Sequence, residues 1–109
     1  MVNELFGPVA TVTQITSVST GVTINARHGQ ITTFAMDAAA GAENAFTVTN
    51  NTVRPSSVVL CSMASNAGTG IAMPAVSSVA DGSFVLQITN IDAAAAFNAA
   101  LVVNFLVLG

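Results

Sequence analysis

Alternation with a period of two runs through most of this sequence and confines it to one class of fold. In residues 21–25, Val22 and Ile24 flank Thr23; in 45–50, Phe46 and Val48 share one parity and Thr47 and Thr49 the other. In 83–91, Phe84, Leu86 and Ile88 are set against Gln87 and Thr89, and in 30–36, Thr32, Phe34 and Met36 share a parity that Ile31 does not. Successive side chains of a strand point to opposite faces, so this pattern describes sheets with one buried face. The abundance of Val, Ile, Thr and Phe supports strands.

Two segments, 58–63 and 101–108, are apolar at both parities. Such strands are central in a sheet, or lie between a domain's core and another subunit. In the second, Val103, Phe105 and Val107 oppose Val102, Leu106 and Leu108, with Asn104 the one polar residue. One face packs inside its own sandwich and the other needs cover. Breakers separate the runs at short intervals: STG at 19–21, RHG at 27–29, AAAGAEN at 38–44, NN at 50–51, RP at 54–55, SNAGTG at 65–70 and DG at 81–82. Short strands spaced this way predict an antiparallel β-sandwich, jelly-roll-like, over residues 9–109, with residues 1–8 as an N-terminal arm. Asp81-Gly82 is the cleanest hairpin turn. RHGQ reads as a connection between two strands, with Gly29 as its pivot. Alternation slips near Gln14, where Val12, Ile15 and Val18 fall three apart, and this predicts a bulge or a crossing between sheets. The alanine clusters at 38–42 and 93–96 suit at most a helical turn.

Charge is scarce. Glu4, Arg27, Asp37, Glu43, Arg54, Asp81 and Asp92 are the only formally charged side chains, 6% of 109 residues, for a net charge of −3. Interspersed charges normally keep a surface free of partners, and their absence points to a surface covered by other chains. Two arginines cannot neutralise a run of phosphates, and no aromatic and basic interleaving offers a base-stacking surface, so nucleic acid is not a partner. The start, MVNELFGPVA, lacks the basic residues and apolar core of a secretory signal. A membrane span at 93–108 is interrupted by Asn98 and Asn104 and has no flanking base.

No constellation for catalysis stands out. His28 is the one histidine and has no nearby carboxylate pair or second histidine to make a metal or proton-transfer site. Cys61, the one cysteine, sits in the apolar run SVVLCSMA as a small buried hydrophobe. Asp37, Glu43, Asp81 and Asp92 lie beside turns, and a calcium cage would require them to converge. SNAGTG lacks the third glycine and the lysine of a phosphate loop and reads as a flexible connection. Asn50-Asn51-Thr52 matches the glycosylation triplet.

The blocks VTQITS, STGVTIN, GQITT, AAAGAENAFTVTN, VRPSSVVL and ALVVNFLVL, in that order from residue 12 to residue 108, resemble short tailed-phage virion proteins and fibre-tip domains. The resemblance implies a β-sandwich assembled as a homotrimer on the virion surface, with no enzymatic activity and no cofactor. With only a short segment before the sandwich, it points to a capsid decoration or cement protein bound to the major capsid protein. The alternative is a head or tail fibre tip that binds a host receptor or glycan through the loops AAAGAEN and SNAGTG. The residues expected at interfaces are Leu5 and Phe6 in the arm, Arg27, His28 and Arg54 in the polar turns, and Val103, Phe105 and Val107 in the last strand.

Overall fold

The structure, a computed structural model, describes residues 9–109. The expected arm, with Leu5 and Phe6, lies outside the described residues. Eight strands form: β1 (Ala10–Thr13), β2 (Val22–Thr23), β3 (His28–Thr32), β4 (Glu43–Thr49), β5 (Val58–Ser65), β6 (Ala72–Ala80), β7 (Ser83–Asn90) and β8 (Val102–Leu108). They make two packed four-stranded sheets, β1-β3-β8-β5 (sheet A) and β2-β4-β7-β6 (sheet B). The chain is the β-sandwich that its alternation predicts, and no helix occurs among the described residues.

The sheets are mixed rather than purely antiparallel. β1 runs parallel to β3, and β2 parallel to β4, while the other pairs are antiparallel. The cause is the path of the chain, which changes sheet at every connection except β6–β7. Parallel neighbours need a crossover between them, and here a strand of the opposite sheet supplies it. Among the described residues the one hairpin is at Asp81-Gly82, where Ala80 pairs with Ser83 and Gly82 has φ of +83°. Glycine tolerates that backbone without the clash a Cβ would cause.

The inward faces follow the alternation. Phe46 and Val48 from β4, and Phe84, Leu86 and Ile88 from β7, meet Ile31, Val103, Phe105 and Val107 of sheet A, and all are buried. The rings of Phe84 and Phe105 tie the two layers together at a centroid distance of 5.7 Å. Full burial of one such side chain is worth about 1.5–3 kcal/mol. The 30–36 run departs from expectation: β3 buries Gly29 and Ile31 and turns Thr32 outward, and Phe34 is exposed, while Met36 is buried only after the chain has left the sheet.

RHGQ is likewise not a connection. His28 and Gly29 already belong to β3, and the link from β2 is 24–27. Gly29 faces inward, where a Cβ would sit 2.7 Å from the Ala10 carbonyl oxygen and 3.1 Å from the Phe105 ring. Its lack of a side chain lets β1 close on β3 and the ring of Phe105 fill the space.

Three buried amides pin the loops. Gln14 ends β1: its Nε2 donates to the carbonyls of Val18 (3.1 Å) and Thr20 (2.8 Å), and its Oε1 accepts from the Phe34 N–H (2.9 Å). This is the point where alternation slips, and the chain there crosses to sheet B with Thr16 held at φ of +78°. Asn50 donates to the Ala26 carbonyl (2.6 Å) and accepts from the N–H of Thr52 (2.9 Å). Its side chain is fully enclosed, so the Asn50-Asn51-Thr52 triplet offers no glycan attachment point in the folded chain. Asn90 holds the opposite end of the sandwich through four side-chain hydrogen bonds. Neither alanine cluster is helical; Asp92 instead accepts from the N–H groups of Ala94 and Ala95, both at 2.9 Å.

Candidate assembly surface

The residues expected to carry function divide by where the fold places them. Val103, Phe105 and Val107 have 0%, 3% and 1% of their surface exposed, inside the chain's own core, so they are not contact residues. The other parity of β8, Val102, Asn104, Leu106 and Leu108, faces out. Polarity decides between the two faces: an inward Asn104 would bury an amide with no partner, which costs about 1–3 kcal/mol. Facing out, its Oδ1 accepts from Gln30 Nε2 (3.0 Å) and its Nδ2 donates to Ser62 Oγ (3.3 Å).

Register builds the outward face of sheet A in rows across the strands. Val58 pairs with Leu108, and Leu60 with Leu106, which in turn pairs with His28. The next outward row is Thr11, Gln30, Asn104 and Ser62, and beyond it come Thr13, Thr32 and Val102. An apolar row at one end thus gives way to a hydrogen-bonded polar row in the middle. Val9, Ile15 and Phe34, one or two residues past the ends of β1 and β3, are exposed as well. Val9, Ile15, Phe34, Val58, Leu60 and Leu108 are six of the nine large hydrophobic side chains that the described residues expose. The other three, Ile71, Met73 and Ile91, gather at one end of the outward face of sheet B, where the Ile91 N–H donates to the Ile71 carbonyl (2.9 Å). Most of the remaining outward face of sheet B is small or polar: Thr47, Thr49, Ser83, Gln87 and Thr89.

No Asp, Glu, Lys or Arg lies on the outward face of sheet A. The charges sit at the two ends of the sandwich. Arg27, just before β3, and Arg54, before β5, lie with Asp81 at one end; Arg27 is exposed, and its carbonyl accepts from the Val107 N–H (2.6 Å). Asp37, Glu43 and Asp92 lie at the other. Nothing brings the four turn carboxylates together: Asp81 is at the wrong end, and the described residues hold no group of three metal-ligating side chains. Donation from the backbone N–H groups of Ala95 and Ala94 holds the Asp92 carboxyl below its ordinary range.

A shallow depression of about 210 Å³ on this face is lined by Leu60, Cys61, Ser62, Asn104, Phe105 and Leu106. Pockets that enclose a drug-sized ligand span roughly 300–1,000 Å³. Burial pushes the Cys61 thiol up from its ordinary range, which keeps it protonated and a poor nucleophile. The SNAGTG loop is clasped rather than flexible: Thr69 N–H donates to Asn98 Oδ1 (2.8 Å) and Thr69 Oγ1 to the Ala96 carbonyl (2.6 Å). No helix is long and apolar enough to cross a membrane among the described residues.

The surface was legible in part. The scarcity of charge and the double-sided last strand signalled an outward face with apolar residues and no formal charge, and Asn104 marked its parity. What the sequence did not show was which strands share a sheet, and therefore that Val58, Leu60, Leu106 and Leu108 form one patch. Comparison of the chain with protein-family models, with curated proteins and with solved structures finds no match.

Proposed function

We propose that this chain is a structural subunit of a virus particle of the tailed-phage type, a decoration or cement protein that covers the capsid as a homo-oligomer and stabilises the shell. The observation that carries the reading is the outward face of sheet A, free of Asp, Glu, Lys and Arg across four strands and apolar at the end where Val58, Leu60, Leu106 and Leu108 meet. A face of this kind is at home against protein and unfavourable against water. Burial there is insensitive to salt, unlike surface ion pairs, which suits a particle exposed to changing media. The clasped loops favour a surface that docks over one that closes on a substrate. The phage assignment and the three-fold arrangement come from the resemblance of the sequence blocks; the major capsid protein is the partner it implies.

The test is binding to purified shells. Capsids stripped of decoration and mixed with this chain are expected to retain it on sedimentation, at a stoichiometry set by the lattice, and to withstand higher temperature with it bound. A protein that leaves every stripped shell unoccupied and instead scores on a glycan array would replace this reading with the fibre-tip one.

A further inference from the structure

The outward face of sheet A carries enough pattern to specify its partner. We infer that two copies of this chain pack face to face through it, about a two-fold axis that runs across the strands, so that the strands of the two copies point in opposite directions. The choice of a second copy rests on the assembly reading above; the geometry goes beyond it.

Three features select this arrangement. The first is the polar row: Gln30, Asn104 and Ser62 form a hydrogen-bonded line across the middle of the face, with Leu60 and Leu106 on one side and Thr13, Thr32 and Val102 on the other. An axis over that row sets amides against amides and lets Leu106 of one copy meet Val102 of the other. The row fixes the register on its apolar side: a shift toward Leu106 would bury an amide against leucine, leaving its donors and acceptors unmatched. The second is the charge at the ends: two arginines with one aspartate at one end, three carboxylates at the other. Opposed strands set the arginine end of each copy over the carboxylate end of its mate, whereas strands pointing the same way would stack like ends. Complementarity of this kind fixes orientation more than affinity. The third is area. The strands β1, β3, β8 and β5 hold 4, 5, 7 and 8 residues, and at about 3.3 Å per residue and about 4.8 Å between strands they give a footprint of about 400 Å² on each copy. The surface covered in a pair is then about 800 Å², below the roughly 1,200 Å² of stable specific interfaces and in the range of weak, transient ones. The pair therefore associates at high concentration, or where a shell already concentrates the subunits.

Because an isologous contact closes on two copies, the assembly has an even number of subunits, and a three-fold arrangement built with it holds six. Sedimentation velocity from micromolar to submillimolar protein reads this directly, and the expected species is a dimer or a multiple of it. Leu60→Glu places a charge in the interface and is expected to raise the dissociation constant at least about tenfold. Leu60 is 50% exposed, so the fold tolerates the change. Ser62→Glu serves as a second variant on the same face, and Thr47→Glu, on the outward face of sheet B, is expected to change nothing. Orientation is read in a Cys61→Ser background by mixing Val102→Cys with Leu106→Cys chains, which cross-link with each other under oxidation only if the strands oppose. A trimer would overturn the pair and leave the assembly reading standing. A monomer throughout the range that still coats stripped shells would assign the face to the shell. Equal weakening by Thr47→Glu, or no mixed cross-link from a dimer, would also refute the arrangement.

Discussion

Replacing Asn90 by alanine tests the view that buried amides, rather than strand pairing alone, hold the loops of this sandwich in place. The side chain is fully enclosed. Its Nδ2 donates to the carbonyls of Ala38 (3.1 Å) and Ala95 (2.8 Å), and its Oδ1 accepts from the N–H groups of Ile71 (3.2 Å) and Asp92 (3.0 Å). Three loops, before β4, before β6 and before β8, thus meet on one residue. A typical intramolecular hydrogen bond contributes about 1 kcal/mol net, and an orphaned buried partner costs about 1–3 kcal/mol. The Ala38 partner is buried and bears its full penalty, while the other three regain some water, so the expected loss for Asn90→Ala is about 3 kcal/mol. That is a large fraction of a total of about 5–15 kcal/mol. With no Trp or Tyr in the chain, far-UV circular dichroism is the probe. The urea midpoint should fall by roughly 1–3 M at an unchanged slope. Asn90→Asp separates geometry from polarity. Its carboxylate would face the Ala38 and Ala95 carbonyls in a buried site, which raises its folded pKa above the unfolded value of about 3.9. Its destabilisation therefore grows as pH rises above about 4, levels off above the folded pKa and shrinks on acidification, while that of Asn90→Ala shows no such dependence. An Asn90→Ala chain within about 1 kcal/mol of the parent would show that water replaces the amide and would refute the argument.

Other expectations follow from the same structure. Gly29→Ala drives a methyl group against the Ala10 carbonyl and the Phe105 ring, and overpacking of this kind costs about 1–3 kcal/mol, measurable by the same unfolding experiment. Val103→Ala is expected to cost about 2 kcal/mol through the cavity it leaves, and Leu60→Ala under about 1 kcal/mol in the monomer; the reverse ranking would mean β8 is turned the other way. Alkylation of Cys61 should be several-fold slower in the folded chain than in urea at pH 8, because burial raises its pKa and lowers the thiolate fraction. The Asp92 carboxyl, followed by NMR, should titrate below the ordinary aspartate range; its lowered pKa means that its contribution is present above the unfolded value and is lost as pH falls through the folded one. A midpoint at or above that range would show that the Ala94 and Ala95 N–H groups do not hold it.

How much of this was readable beforehand depends on what each residue had to decide. Phe46, Val48, Phe84, Leu86 and Ile88 declared their inward faces because a threonine or glutamine sits between them. Asp81-Gly82 declared a hairpin because few other pairs suit a tight turn. The remaining turns look alike whether the chain reverses within one sheet or steps to the other, since both need a break and a few polar residues. That ambiguity hid the two parallel pairs. Gly29 misled for a related reason: a glycine between strands suggests a turn, and only the proximity of the Ala10 carbonyl shows that it serves a close approach within a strand. Asn90, Asn50 and Gln14 resemble ordinary surface amides in sequence. Their partners are backbone groups, and backbone groups leave no trace in residue type. On β8 a signal was present: Asn104 shares the parity of Leu106, and its need for partners fixes that parity as the outer one.

The sheet-to-sheet itinerary has a consequence for how this chain reaches its native state. Seven connections join the eight strands, and only β6–β7 brings together neighbours that can zip from a turn. Every other ladder unites segments distant along the chain; β1 pairs with β3 across a visit to the other layer, and β8 inserts between β3 and β5. Closing such loops costs entropy before contacts repay it, and non-local β topologies fold in about milliseconds to seconds. The last strand, apolar on both sides, completes sheet A, so a nascent chain holds an open cleft between β3 and β5 until Val102–Leu108 arrives. The chain spends that interval with a strand-shaped vacancy on show. Partial synthesis products, or chains truncated before β8, are thus the species most exposed to capture by one another's strands, a hazard that ends once the eighth strand is seated.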